Sequence, residues 1–225
     1  MSHSGPDAKA DPSAWRALQD SLTANGERRL VLLEGDREQN LRWLSGLLPG
    51  LEIQSGLWTG PADHSPDTRL TRVTPAGARK WLGCEVSLIV WDGWHGNPPD
   101  AFAALSGALT AGGLLFWLMP PLAEWSRFAD PDYPRTGLEH GRNHPFAARM
   151  AELLADDDAV IRVSPDRPES RPPVPPLPEK RFRIAATRDQ EQLVQRLVRF
   201  GLGRRRRPLV VSADRGRGKS AAMGM

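Results

Sequence analysis

The sequence predicts an α/β domain with a mostly parallel sheet covered by helices, and three observations carry that expectation. Short runs apolar throughout, such as Val86 to Trp91 and Leu114 to Met119, have strand length and no polar face. Segments with apolar residues at helical spacing alternate with them. Forty per cent of the 225 residues are hydrophobic, enough for a core buried on both sides of a sheet.

Taken in order, the first dozen residues are polar and read as a tail. Asp11-Pro12 opens a helix, because proline at the first helical position loses no hydrogen bond. Trp15, Leu18 and Leu22 form its stripe. Arg28 to Glu34 reads as a buried strand closed by the Gly35-Asp36 turn. Asp36 with Gln39 resembles a capping box, followed by the stripe Leu41, Trp43, Leu44, Leu47 and Leu48. Thr74-Pro75 starts a further helix through Ala78 and Trp81, ahead of the strand Val86 to Trp91. Pro99 to Leu109 is expected as a helix burying Ala101, Phe102, Leu105 and Leu109, stopped by Gly112-Gly113. Leu114 to Met119 is the next strand, His144 to Leu154 a helix, and Ala159 to Val163 a short strand. Residues 49–73 and 130–142 read as surface loops.

This places an α/β amino-terminal domain at 14–163, after a tail at 1–13. Seven prolines within 164–180 mark a stiff linker. Beyond it, Thr187 to Phe200 is an amphipathic helix capped by Thr187, with Leu193, Leu197, Val198 and Phe200 on its apolar side. Pro208 to Ser212 reads as a strand.

Composition narrows the functional classes. The longest strongly apolar run, Leu114 to Leu122, is far shorter than the roughly 20 residues that span a bilayer. The first residues hold no apolar signal core, and the single Cys84 rules out an internal disulfide, which together suggest a cytoplasmic protein. Residues 1–180 carry a net charge of −6 and residues 181–225 a net charge of +9. The basic character therefore belongs to the last fifth of the chain, as expected of a region that meets phosphates.

The chemistry is concentrated there. The expected strand 208–212 runs into Ala213-Asp214-Arg215-Gly216-Arg217-Gly218-Lys219-Ser220, the arrangement of a phosphate-binding loop entering a helix. Gly216 and Gly218 let backbone N–H groups face a phosphate, and the helix start adds donors and partial positive charge. Lys219 suits the β- and γ-phosphates, and the Ser220 hydroxyl suits magnesium. Arg217, Ala221 and Ala222 complete the expected ATP-binding segment. The full G-x-x-x-x-G-K-[ST] pattern would place glycine at 213, where this chain has Ala213. Arg215 to Ser220 also comes within one residue of an acetyl-coenzyme A pyrophosphate loop, which leaves Lys219 and Ser220 unexplained. A solvated turn and a purely RNA-contacting loop are the plainer alternatives. Gln190, upstream on the preceding helix, can pair with both a donor and an acceptor of adenine. Arg204, Arg205, Arg206 and Arg207 suit an RNA backbone, or form a solvated loop.

Other polar groups signal less. Asp92 with His95 forms either an acid–base pair or a strand-end cap. His140 and His144 lack further ligands for a metal. Cys84 has no activating neighbour, and the eight tryptophans sit mostly at core spacing.

Two stretches resemble the amino-terminal part of the bacterial tRNA(Met) cytidine acetyltransferase family. One is Val90-Trp91-Asp92-Gly93-Trp94-His95-Gly96 with Ala101 to Gly107 and Ala111-Gly112-Gly113. The other is Thr187 to Gln192 with Ser212 to Ser220, the alanine at 213 included. The resemblance implies the truncated start of a P-loop (RecA-like), helicase-like ATPase domain over 181–225. It further implies an enzyme that forms N4-acetylcytidine at the wobble position of elongator tRNA(Met) from acetyl-CoA and ATP. Of the family's functional residues only Gln190 and the loop from Gly216 through the first helical turn carry over. The acetyl-CoA site, the acidic magnesium motif and an arginine finger lie in parts that this sequence does not contain. The isolated chain is expected to be inactive. A non-catalytic RNA-binding or scaffold module, and an unrelated P-loop ATPase, are the competing readings.

Overall fold

The computed structural model describes residues 11–139, 143–165, 172, 187–203 and 208–212. The chain divides into two units, residues 1–177 and 178–225.

In the first unit six parallel strands form one sheet in the order β3-β2-β4-β5-β1-β6. They are β1 (Arg29–Glu34), β2 (Gly56–Trp58), β3 (Leu70–Arg72), β4 (Val86–Asp92), β5 (Leu109–Met119) and β6 (Ile161–Val163). The helices are α1 (Pro12–Asn25), α2 (Arg37–Leu47), α3 (Pro99–Ser106), the single turn α4 (Tyr133–Thr136) and α5 (Pro145–Ala155). This is the covered α/β sheet that the alternating pattern predicts.

Alternation along the strands splits the core into two layers. Val31 and Leu33 of β1, Leu88 and Val90 of β4, and Leu114, Phe116 and Leu118 of β5 face one layer. There they meet Trp15, Leu18 and Leu22 of α1 and Leu41, Trp43, Leu44 and Leu47 of α2. Leu32, Ile89, Trp91, Leu115 and Trp117 face the other layer, with Ala101, Ala104 and Leu105 of α3 and Ala151 of α5. Each fully buried leucine or phenylalanine contributes roughly 1.5–3 kcal/mol relative to exposure. Six of the eight tryptophans are buried in these layers, in line with a core role.

Local chemistry sets the helix starts. The Asp11 carboxylate accepts from the Ser13 N–H with Pro12 at the first position, and Asp36 accepts from the Gln39 N–H at 3.0 Å. In both cases the predicted cap is the observed one.

The structure corrects several sequence expectations. Helix α3 ends at Ser106, and Leu109 already belongs to β5. The Leu105–Leu109 spacing imitates a helical turn, but the second leucine is buried as a strand residue. Gly112-Gly113 does not stop a helix; it forms an irregularity within β5, where pairing with β4 jumps from Val86↔Leu109 to Leu88↔Leu114. Gly112 has φ +77°, and a Cβ there would lie 2.0 Å from Thr23 Oγ1, so glycine is required by both backbone and space. Residues 75–81 form a 3-10 helix instead of an α-helix. The loops at 49–73 and 130–142 hold β2, β3 and α4. Three-residue strands in a Gly- and Pro-rich stretch are too short to show a period.

Arg69 anchors the loop before β3. It pairs with Asp67 at 2.6 Å and donates to the Leu48 and Leu51 carbonyls. The hydrogen bond from Arg69 holds the Asp67 carboxyl below its ordinary range. A depressed folded value means that this stabilisation is present above the unfolded carboxyl's titration and is lost as pH falls through the folded value. Acid titration of the Asp67 side-chain carbonyl by NMR should show a midpoint below that of an unfolded aspartate. An Arg69→Met variant should restore the ordinary midpoint.

In the second unit, α6 (Arg188–Leu202) carries a full capping box. Pro208 to Ser212, expected as a strand, has no regular secondary structure. No helix among the described residues is long and apolar enough to cross a membrane.

Candidate functional site at the carboxyl edge of the sheet

All six strands end on the same edge, where parallel α/β sheets characteristically bind ligands. The connection leaving β2 leads outward to β3, whereas that leaving β4 leads through α3 to β5. The links of these two neighbouring strands therefore diverge, which is the topological position at which open α/β sheets bind ligands.

Asp92, the last residue of β4, lies at that divergence with its side chain wholly buried. Its Oδ2 accepts from Arg37 Nε at 2.9 Å, from Arg37 Nη2 at 2.7 Å and from His95 Nδ1 at 2.8 Å. Its N–H donates to Thr59 Oγ1 just beyond β2 at 3.1 Å. Arg37 is the first residue of α2 and only 13% exposed. It also donates to Glu38 and, through Nη2, to His64 Nδ1 at 3.1 Å. A buried carboxylate needs a cation and donors, and α2 delivers both by starting at Arg37 directly after the Asp36 cap.

Asp92 only accepts, so His95 donates to it from Nδ1. Arg37 only donates, so the Nδ1 of His64 accepts and its proton sits on Nε2. The rings are 43% and 46% exposed. Asp92 with His95 is thus a true hydrogen-bonded pair and more than a turn cap. Arg37, His64 and Thr59 complete the group, and nothing in their sequence surroundings distinguishes them from loop polar residues.

Two further features shape this edge. Glu34, at the end of β1, accepts from Arg162 of β6 at 2.5 Å and from the Leu122 N–H at 3.0 Å, which ties three segments together. Gly93 lets the chain turn tightly, because a Cβ there would lie 2.7 Å from the Leu118 carbonyl oxygen. Away from this group, a cavity of about 560 Å³ lies between α3 and α5, lined by Phe102, Trp117, Tyr133 and Met150 among others. Burial, then the nearby Asp130 charge, pushes the Tyr133 phenol upward.

The other sequence-derived candidates fall differently. Gln190 is the third residue of α6; its Oε1 accepts from the Thr187 N–H at 3.1 Å, and its own N–H donates to Thr187 Oγ1 at 3.2 Å. The loop Gly216, Arg217, Gly218, Lys219 and Ser220, the following Ala221 and Ala222, and Arg204 to Arg207 lie outside the described residues. So does His140, whereas His144 holds the N-cap position of α5 without a side-chain capping hydrogen bond. Among the described residues no group of three His, Cys, Asp or Glu side chains is placed to hold a metal. Cys84 is an exposed free thiol.

Fold and site together define a doubly wound α/β domain with a hydrogen-bonded Arg37–Asp92–His95 group at the carboxyl edge of its sheet. Residues 8–165 match the family described as tRNA(Met) cytidine acetyltransferase TmcA, N-terminal, and the chain belongs to that family. It is 36% identical over 227 residues to a tRNA(Met) cytidine acetyltransferase TmcA of Nitrosococcus halophilus, covering 93% of this chain and 29% of that relative. With the same-named proteins of Salmonella typhimurium and Haloarcula marismortui it shares 32% and 29% identity over 96% and 99% of its length. In both cases it spans 31% of the relative.

Proposed function

We propose that this chain is the amino-terminal portion of an ATP-dependent tRNA cytidine acetyltransferase that forms N4-acetylcytidine at the wobble position of elongator tRNA(Met). The observation that carries this reading is the family match over 8–165, continued in sequence by the R-G-R-G-K-S loop at 215–220. In this reading Gly216 to Ser220, with Ala221 and Ala222, hold the ATP phosphates through backbone N–H groups and Lys219. Ser220 ligates magnesium, and Gln190 reads adenine. Arg204 to Arg207 meet the tRNA backbone. Acetyl-CoA is held elsewhere in the enzyme.

Phosphoryl transfer depends on cations arranged around the γ-phosphate, and this chain supplies only part of such a set. The isolated 225-residue chain is therefore expected to show no ATP turnover. Turnover that Lys219→Ala abolishes would overturn that expectation. In the full-length enzyme, Lys219→Ala should lower ATP hydrolysis and N4-acetylcytidine formation about a hundredfold or more. Unchanged rates for the full-length variant would overturn the assignment of the loop.

A further inference from the structure

We propose that the cavity between α3 and α5 binds a small uncharged aromatic molecule bearing one hydroxyl or similar polar group, and that His144 Nε2 is the hydrogen-bond partner of that group. The cavity holds about 560 Å³. Small-molecule sites span roughly 300–1,000 Å³, and an apolar cavity of only about 150 Å³ already admits benzene. Phe102, Trp117, Trp125, Phe128 and Tyr133 make its wall largely aromatic. Leu138 and Phe146, on the same wall, are 47% and 65% exposed, so the cavity meets solvent at an apolar rim.

The polar groups of the wall select the ligand. Asn97 donates from Nδ2 to Asp130 and to the Gly93 carbonyl, and its Oδ1 accepts from Trp117 Nε1. Asp130 also accepts from the Asn97 and Asp132 N–H groups, and Asp132 is held by Arg135 at 2.7 Å. The Ser106 and Thr136 hydroxyls donate to the Ala103 and Tyr133 carbonyls. His144 is the exception. It is 7% exposed, its ring lies against Tyr133 with centroids 4.1 Å apart, and its Nε2 is buried with no hydrogen-bond partner among the described residues. Nor does the side chain serve the helix, since it makes no capping hydrogen bond at the start of α5. A buried polar atom unpaired on an apolar cavity wall is the group that a ligand's polar end satisfies. A hydroxyl suits an imidazole nitrogen as either donor or acceptor. The described lining holds two carboxylates and no lysine or arginine, which disfavours an anion. The site does not depend on the ATP loop, so its failure and that of the proposed function are separable.

The test is NMR of the histidine rings and methionine methyl groups in the 225-residue chain, titrated with 2-naphthol, naphthalene and 2-naphthoate, which share one ring system. 2-Naphthol should shift the His144 ring and Met150 methyl signals saturably and leave His64 and His95, which do not line the cavity, unmoved. Naphthalene should bind about tenfold more weakly, the worth of one modest hydrogen bond, and 2-naphthoate more weakly still. His144→Phe should lower the 2-naphthol affinity to that of naphthalene. Met150→Trp, which fills the cavity from α5, should abolish binding of both, with melting temperatures showing that the variants fold. The comparison of probes on the unaltered chain stands even where a variant does not fold. Equal affinity for naphthalene and 2-naphthol, as a surface for any apolar side chain of another protein would give, would overturn the proposal. So would 2-naphthoate binding as tightly as naphthalene, or the absence of a saturable shift at His144.

Discussion

Asp92→Ala is expected to destabilise the first unit by about 3–5 kcal/mol, the range for removing one partner of a buried ion pair. The variant leaves the Arg37 guanidinium at 13% exposure without the carboxylate that takes its Nε and Nη2 donors. His95 loses its orienting acceptor at the same time. Arg37→Ala should cost a similar amount for the opposite reason, a buried anion left with one imidazole donor. The double variant Arg37→Met/Asp92→Leu should cost clearly less than the two single changes added together, because neither charge is then stranded. Urea unfolding followed by circular dichroism reads all four proteins. Additive costs, or a single-variant cost below about 1 kcal/mol, would show that the pair behaves as an exposed surface bridge.

That ion pair also marks where sequence reasoning reaches its limit. The helix starts at Asp11-Pro12 and Asp36, and the apolar stripes of α1 and α2, depend on neighbours within four residues and were legible as spacing. The same holds for β1, β4 and the core half of β5, whose apolar runs need no knowledge of their partners. The Gly112-Gly113 irregularity was not legible, because its cause is Thr23 on a helix about ninety residues earlier in the chain. Strand β2 exists because β4 offers it a ladder, and β3 because β2 does, not because three residues have a period. At the site, Asp92 and His95 are three apart and visible as a pair. Arg37 reaches Asp92 across 55 residues of chain and His64 reaches Arg37 across 27, so only the fold joins them.

Trp15→Ala is expected to cost the same unit about 3–5 kcal/mol, the range for truncating a large aromatic in a packed core. Trp15 is fully buried, edge-on to Trp43 with ring centroids 5.7 Å apart and tilted against Phe116 at 5.6 Å. Trp15→Phe should cost only a fraction of this. It keeps an aromatic face towards both neighbours and removes an indole N–H that has no acceptor among the described residues, which offsets part of the lost volume. Equal costs for the two variants would show that the cluster tolerates no change of shape and that the unpaired N–H carries no penalty. The site should also feel the truncation, because Trp43 lies on α2, the helix whose first residue delivers Arg37 to Asp92. Native-state hydrogen exchange should therefore rise in both α1 and α2 for Trp15→Ala, but only around α2 and the 93–95 turn for Asp92→Ala. If exchange in α2 is unchanged in the tryptophan variant, the aromatic layer does not hold the helix that carries Arg37, and the ion pair alone positions it.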